Sequence, residues 1–154
     1  MDITDKKILK ILSKNANTTA TEISEAVNLS IPAVNKRIQK LQNDKIIRSF
    51  TVITDGEKVK KPVIAFVFIV FRYDGTDADE LLKHIIQDTD VLECYAVTGE
   101  YDYIVKICAE DIMSLESKIL RIKRQKGVVK SHTMISLMEH KFQPTILPDL
   151  HKDL

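Results

Sequence analysis

Through the first third of the chain apolar residues recur at three- and four-residue steps, and beyond it they crowd into short runs parted by polar turns. Ile8, Leu9, Ile11 and Leu12 give a broad stripe that predicts a helix over residues 4–14, capped by Thr4 or Asp5. Thr19-Ala20-Thr21-Glu22 has the form of a capping box, with Ile23, Ala26 and Val27 as the buried side of a second, shorter helix. That helix is expected to stop at Asn28, which tolerates a left-handed C-cap, with Leu29 plugging the core. Ser30 caps the next helix and Pro32 falls in its first turn, where a missing amide donor costs little. Val34, Ile38 and Leu41 then bury one side of that helix, leaving Asn35, Lys36, Arg37, Gln39 and Lys40 elsewhere on the cylinder. Two short helices joined this tightly make a helix-turn-helix.

The period then changes. Ile46 to Ile53 is rich in β-branched and aromatic residues and reads as the strands of a wing or an exit strand. Thr54 to Pro62 is polar, holds both Gly and Pro, and parts two hydrophobic regions, so the hinge is placed there. Beyond it come strand Val63–Tyr73, helix Asp77–Gln87, strands Val91–Thr98 and Tyr103–Ala109, helix Asp111–Lys126 and strand Val128–Met138, with turns at Asp74-Gly75 and Gly99. In the last helix Asp111 is the cap, Ile112, Leu115, Ile119 and Ile122 are the buried stripe, and Gly127 is the stop. The order βαββαβ is ferredoxin-like. The expected fold is α+β: a helix-turn-helix domain over 1–53, winged or not, a linker over 54–62, a ferredoxin-like domain over 63–140 and a tail over 141–154.

The first strand of the second domain, Val63 to Phe71, has no polar alternation, so both of its faces must be covered. Two helices cover only one face of such a sheet. The simplest cover for the other is the same sheet of a second subunit, in a two-fold dimer. The alternative is the chain's own tail.

Charge alters this picture at one place. The 154 residues carry a formal net charge of +1, yet residues 30–48 hold five basic residues (Lys36, Arg37, Lys40, Lys45, Arg48) against the single acid Asp44. A basic reader on a mildly acidic body points to double-stranded DNA. The longest apolar run is too short to span a bilayer, and neither an export signal nor membrane insertion is expected. Cys94 and Cys108 lie on separate predicted strands without metal-ligand spacing, which suits reduced thiols in a cytoplasmic protein.

Enzymatic chemistry finds no foothold. There is no nucleophile elbow, phosphate loop or clustered His/Cys set, and His84, His132, His140 and His151 are scattered, so neither metal nor cofactor is expected. One polar constellation, Thr98-Gly99-Glu100-Tyr101-Asp102, interrupts two apolar strands. Amides near Gly99 suit a carboxylate and Asp102 suits an ammonium group, which together describe a free amino acid. On five residues alone, a plain hairpin whose Gly and Asp serve geometry is the weightier reading.

The chain as a whole resembles the Lrp/AsnC family of feast/famine transcriptional regulators from Asp2 to about Phe142. The resemblance lies in Asp2-Ile3-Thr4-Asp5 with Ile8-Leu9, in Leu29-Ser30 with Val34, Arg37, Ile38 and Leu41, in Ile46-Ile47, and in Thr98 to Asp102. It implies a sequence-specific regulator that forms dimers through the ferredoxin-like domain and often assembles to octamers; the dimer read from Val63 to Phe71 is expected to bind a DNA site of two-fold symmetry. By the same resemblance Pro32, Ala33, Asn35 and Lys36 face the bases, with Arg37 and Lys40 nearer the backbone and Ser30 completing the set. It also reverses the weighting of the turn: Thr98, Gly99, Tyr101 and Asp102 become an amino-acid effector site, closed by residues 127–136 of another subunit. Where the family usually has Gly before the Ile-Ile pair this chain has Lys45, so Asn43 or Asp44 is expected to make the left-handed turn. Two rival functions remain: a multimeric DNA-organising protein without effector, and a decarboxylase of the haem pathway, which similar sequences include.

Overall fold

The computed structural model describes residues 1–72 and 78–149. Contacts divide the chain into two compact units, Met1–Ile53 with the segment from Lys141 onward, and Thr54–His140.

The first unit is three helices, α1 (Ile3–Lys14), α2 (Ala20–Val27) and α3 (Ile31–Asn43). Ile8, Leu12, Ile23, Val34 and Leu41 form its core, with Leu29 packed against them. The caps explain where each helix starts. Thr19 and Glu22 exchange side-chain and backbone bonds as a capping box, and Asn28 ends α2 at φ 54°. The cap of α1 is Asp2 rather than Thr4 or Asp5: Asp2 accepts from the Asp5 amide, and the Asp5 carboxylate accepts from the Asp2 amide. After α3 the left-handed residue is Lys45, at φ 56°, and not Asn43 or Asp44. The amides of Ile46 and Ile47 then both donate to the Leu41 carbonyl.

Ile46 to Ile53 carries no strand, against the expectation of a wing. High β-propensity needs a partner's backbone to be realised, and the described residues supply none here; Val52 stands 85% exposed. The tail adds one unexpected tie within this unit. Lys6 on α1 is only 2% exposed, and its Nζ donates to the Asp149 carbonyl at 2.9 Å.

The second unit follows the βαββαβ order: β1 (Val63–Phe71), α4 (Ala78–Ile86), β2 (Val91–Ala96), β3 (Tyr103–Ala109), α5 (Ile112–Lys123) and β4 (Val128–Ile135). The sheet order is β2-β3-β1-β4, with every neighbouring pair antiparallel. The predicted Asp74-Gly75 turn lies outside the described residues. On β1 the side chains alternate. Ala65, Val67, Ile69 and Phe71 are buried with Leu81, Ile85, Leu115 and Ile122 of the two helices. Ile64, Phe66, Phe68 and Val70 are half-buried on the opposite face. On α5, Ile112 departs from the predicted stripe and is 57% exposed, because as the first residue after the Asp111 cap it precedes the turn that packs on the sheet. Gly127 is needed twice over, at φ 88° and with the Phe71 ring occupying the place where a Cβ would stand.

Thr54–Pro62 carries turns of its own. The Val59 amide donates to the Asp55 carbonyl and the Lys61 amide to that of Gly56, and the Lys61 ammonium pairs with Asp90 ahead of β2. Both cysteines are free thiols, raised above their ordinary pKa chiefly by burial.

Candidate nucleic-acid interface and effector turn

Helix α3 is held so that one side faces solvent. Its Ser30 cap accepts from the Ala33 amide at 3.4 Å, and Val34 and Leu41 anchor the opposite side. At about 100° per residue, Pro32, Lys36 and Lys40 fall on the side away from that anchor, and all three are exposed or nearly so. Ser30 and Asn35 are exposed as well, whereas Ala33 is half-buried. Lys36 and Lys40 have no ion pair among the described residues, so an exposed cationic stripe runs along α3. Gln39 falls on the same stripe, seven residues after Pro32, and belongs with the candidate contacts. The seven-residue step from a proline is the signal for it.

Arg37 is placed differently from the other basic residues. Its Nη1 donates to Asp2 at 2.6 Å and to Asp5 at 2.7 Å, joining α3 to the start of α1. The hydrogen bonds to these carboxylates raise the Arg37 pKa. The carboxyl of Asp2 is lowered, first by the Asp5 amide and then by Arg37. A guanidinium shared by two carboxylates is largely neutralised, so Arg37 sets the seating of the helix more than it adds to the field facing solvent.

The turn after β2 is built around Asp102. Its amide donates to the Ile69 carbonyl, its carbonyl accepts from the Val97 amide, and its Oδ2 accepts from the Phe71 amide at 2.7 Å. The carboxylate offered to an ammonium group on sequence grounds thus has one oxygen engaged at the end of β1. Tyr101 packs against Phe68 with ring centroids 5.2 Å apart, and the Lys130 ammonium lies 5.8 Å from the Tyr101 centroid while pairing with Glu100 at 3.0 Å. An open hollow beside these groups is lined by Phe68, Ala96, Val97, Thr98, Glu100, Tyr101 and Ile104. Of the four predicted effector residues, Thr98 and Tyr101 line it; Gly99 and Asp102 do not. Gly99 sits at φ 117°, and nothing lies within 4 Å of a Cβ built on it.

Two family models divide the chain between them. Residues 1–48 match a winged helix-turn-helix DNA-binding domain and residues 64–146 the Lrp/AsnC ligand-binding domain. The chain belongs to the Lrp/AsnC family. It is a transcriptional regulator with a helix-turn-helix DNA-binding domain and a ligand-binding domain. This Lrp/AsnC regulator is 33% identical over 148 residues to the transcriptional regulator FL11 of Pyrococcus abyssi, covering 96% of each chain. It is 28% identical to the regulatory protein AsnC of Haemophilus influenzae, covering 89% of this chain and 91% of that one. Among solved structures it resembles the transcriptional regulator NMB0573 of Neisseria meningitidis in complex with L-Met. The TM-score is 0.88 at 29% identity, covering 95% of this chain and 96% of that one. No helix among the described residues is long and apolar enough to cross a membrane.

Proposed function

We propose that this regulator works in the cytoplasm as a homodimer on a DNA site of two-fold symmetry, recognising its sequence through α3, with an amino acid as effector. The observation that carries the reading is the exposed cationic stripe of Lys36 and Lys40, without an ion pair among the described residues, on a helix capped and anchored on its other side. Pro32, Ala33, Asn35, Lys36 and Gln39 meet base edges, Ser30 and Lys40 meet the backbone, and Arg37 seats the helix through Asp2 and Asp5. The half-buried face of Ile64, Phe66, Phe68 and Val70 supports the dimer, because a second copy of the sheet covers it without new polar burial on β1. Further assembly of dimers, up to an octamer, is part of the same proposal.

The effector reading rests on the hollow beside Thr98 and Tyr101, with amides near Gly99 for the carboxylate and the second Asp102 oxygen for the ammonium. NMB0573, with its bound L-Met, supports an amino acid as the class. Lys130, which belongs to the 127–136 stretch expected from another subunit, already borders Tyr101 within one chain. A thermal-shift screen of the twenty amino acids tests it: a ligand at about a hundred times its Kd adds roughly 2.7 kcal/mol. Asp102→Asn keeps an acceptor for the Phe71 amide while losing the charge, so it is expected to fold normally and to lose the shift. No shift with any amino acid, or an equal shift in Asp102→Asn, refutes the effector assignment. A footprint confined to a few promoters separates regulation from DNA organisation. The relatives are named as regulators, and no observation favours the decarboxylase.

A further inference from the structure

Where α3 ends, the chain has to reverse so that Ile47 can pack on the core of the first unit. Asp44 closes the helix at φ −76°, Lys45 turns left-handed at φ 56°, and the amides of Ile46 and Ile47 return to the Leu41 carbonyl at 2.9 and 3.0 Å. The left-handed conformation is thus fixed by the bonds on either side of Lys45. A residue with a Cβ holds it at a cost that Gly escapes and Asn reduces, and the chain uses Asn28 for the same task at the end of α2. For the backbone, lysine is the poorer choice.

Nothing the side chain does locally offsets this. Lys45 is exposed and has no ion pair among the described residues, not even with its neighbour Asp44. A cation at a helix C-terminus gains from the macrodipole, but Lys40 already stands in the last turn of α3. An unfavourable backbone kept beneath an unengaged charge is what a contact made outside the chain requires. The position says which contact. Lys36 and Lys40 carry the cationic stripe along α3, and Lys45 adds a further cation just past the last turn. When the first residues of a recognition helix meet base edges, its C-terminal end lies nearer the phosphates, as in the homeodomain arrangement.

We propose that Lys45 binds a DNA phosphate beyond the end of α3, held out for it by the left-handed turn. The contact rests on the reading of α3 as the DNA-facing helix. It adds a sequence-independent anchor at the opposite end of that helix from Ser30 and Pro32.

Fluorescence anisotropy of the full chain on a duplex of random sequence, across a range of salt, tests the contact, because a phosphate is met on any sequence. Lys45→Asn removes the charge and suits the turn, so it is expected to melt no lower than the wild type while its slope of log affinity on log salt falls by about 0.9. Lys45→Gly is expected to lower the slope equally, and Lys45→Arg to keep it. Lys60→Asn is the matched control. Lys60 is also exposed and left-handed, at φ 61°, but belongs to the other unit, so the same charge is lost at a second such position and the slope is expected to hold. A slope unaltered by Lys45→Asn overturns the contact. So does an equal fall in Lys45→Asn and Lys60→Asn, which would make the effect one of net charge. Lys40→Ala in the same series separates this proposal from the reading beneath it: a slope lowered by Lys40→Ala but not by Lys45→Asn sinks the Lys45 contact alone, whereas slopes unmoved by both remove the α3 reading as well.

Discussion

Arg37 and Lys40 lie three residues apart on one helix and act differently. Arg37→Ala leaves the carboxylate of Asp5 without its partner at the base of α1, and is expected to lower stability by about 1 kcal/mol in chemical denaturation, the scale of a partly exposed pair. Lys40→Ala, with no partner to strand, is expected to be neutral in the same experiment. Equal loss in both would show that the tie to α1 has no structural weight. Asp90 offers a pH test. Lys118 first and Lys61 second hold its carboxyl below the ordinary 3.8, so the charged form is favoured in the folded chain. Its contribution is complete above the unfolded value, near pH 4, and drains away as pH falls through the lower folded value. Denaturation midpoints between pH 5 and pH 3 are therefore expected to fall more steeply in the wild type than in Asp90→Asn. Parallel slopes would contradict the assignment. Neither partnership is legible in the sequence, because Asp2 and Arg37 stand 35 positions apart and Asp90 and Lys118 stand 28 apart. Ser30, Asn28 and the Thr19–Glu22 box can be read at once, because each acts on its immediate neighbours in the chain.

At the scale of elements, β1 has one face buried under the helices and one half-buried face, which the proposed dimer covers. Val67 is fully buried under the helices, so Val67→Asp is expected to abolish folding, whereas Phe66→Asp on the opposite face is expected to leave a folded chain that no longer dimerises. Circular dichroism with sedimentation separates these outcomes, and a folded dimer of Phe66→Asp would remove the sheet face from the interface. The run of apolar residues foretells two covered faces, and alternation then tells which residues share one. The Ile46–Ile53 segment shows the limit of that method. Its residues favour a strand, but a strand is a property of a pair, and no second strand lies beside it among the described residues. The Asp102 carboxylate eludes the sequence for a related reason. Its bond to the Phe71 amide joins the turn to a strand 31 residues earlier, a closure visible only once β1 and β3 are paired.

For the molecule as a whole, each half presents its own working surface. The first is a capped three-helix unit with an outward cationic stripe, and the second is a sheet with helices on one face and aromatic residues on the other. Under the proposed assembly, an effector at the turn acts on DNA affinity only by its differential affinity for the assembled and unassembled states. An amino acid that binds at Tyr101 is therefore expected to change the sedimentation profile as well as the DNA affinity, and an effector that alters one without the other would break that linkage. Central to the whole is the proposal that α3 meets DNA through its unpaired lysines. Fluorescence anisotropy on a duplex across a range of salt concentrations, with wild type, Arg37→Ala and Lys40→Ala in parallel, tests it most directly. Lys40→Ala is expected to reduce the slope of log affinity on log salt by about 0.9, the value of one lost phosphate contact, while Arg37→Ala leaves the slope nearly unchanged. A slope unaltered by Lys40→Ala, or one reduced only by Arg37→Ala, would contradict this account of the interface.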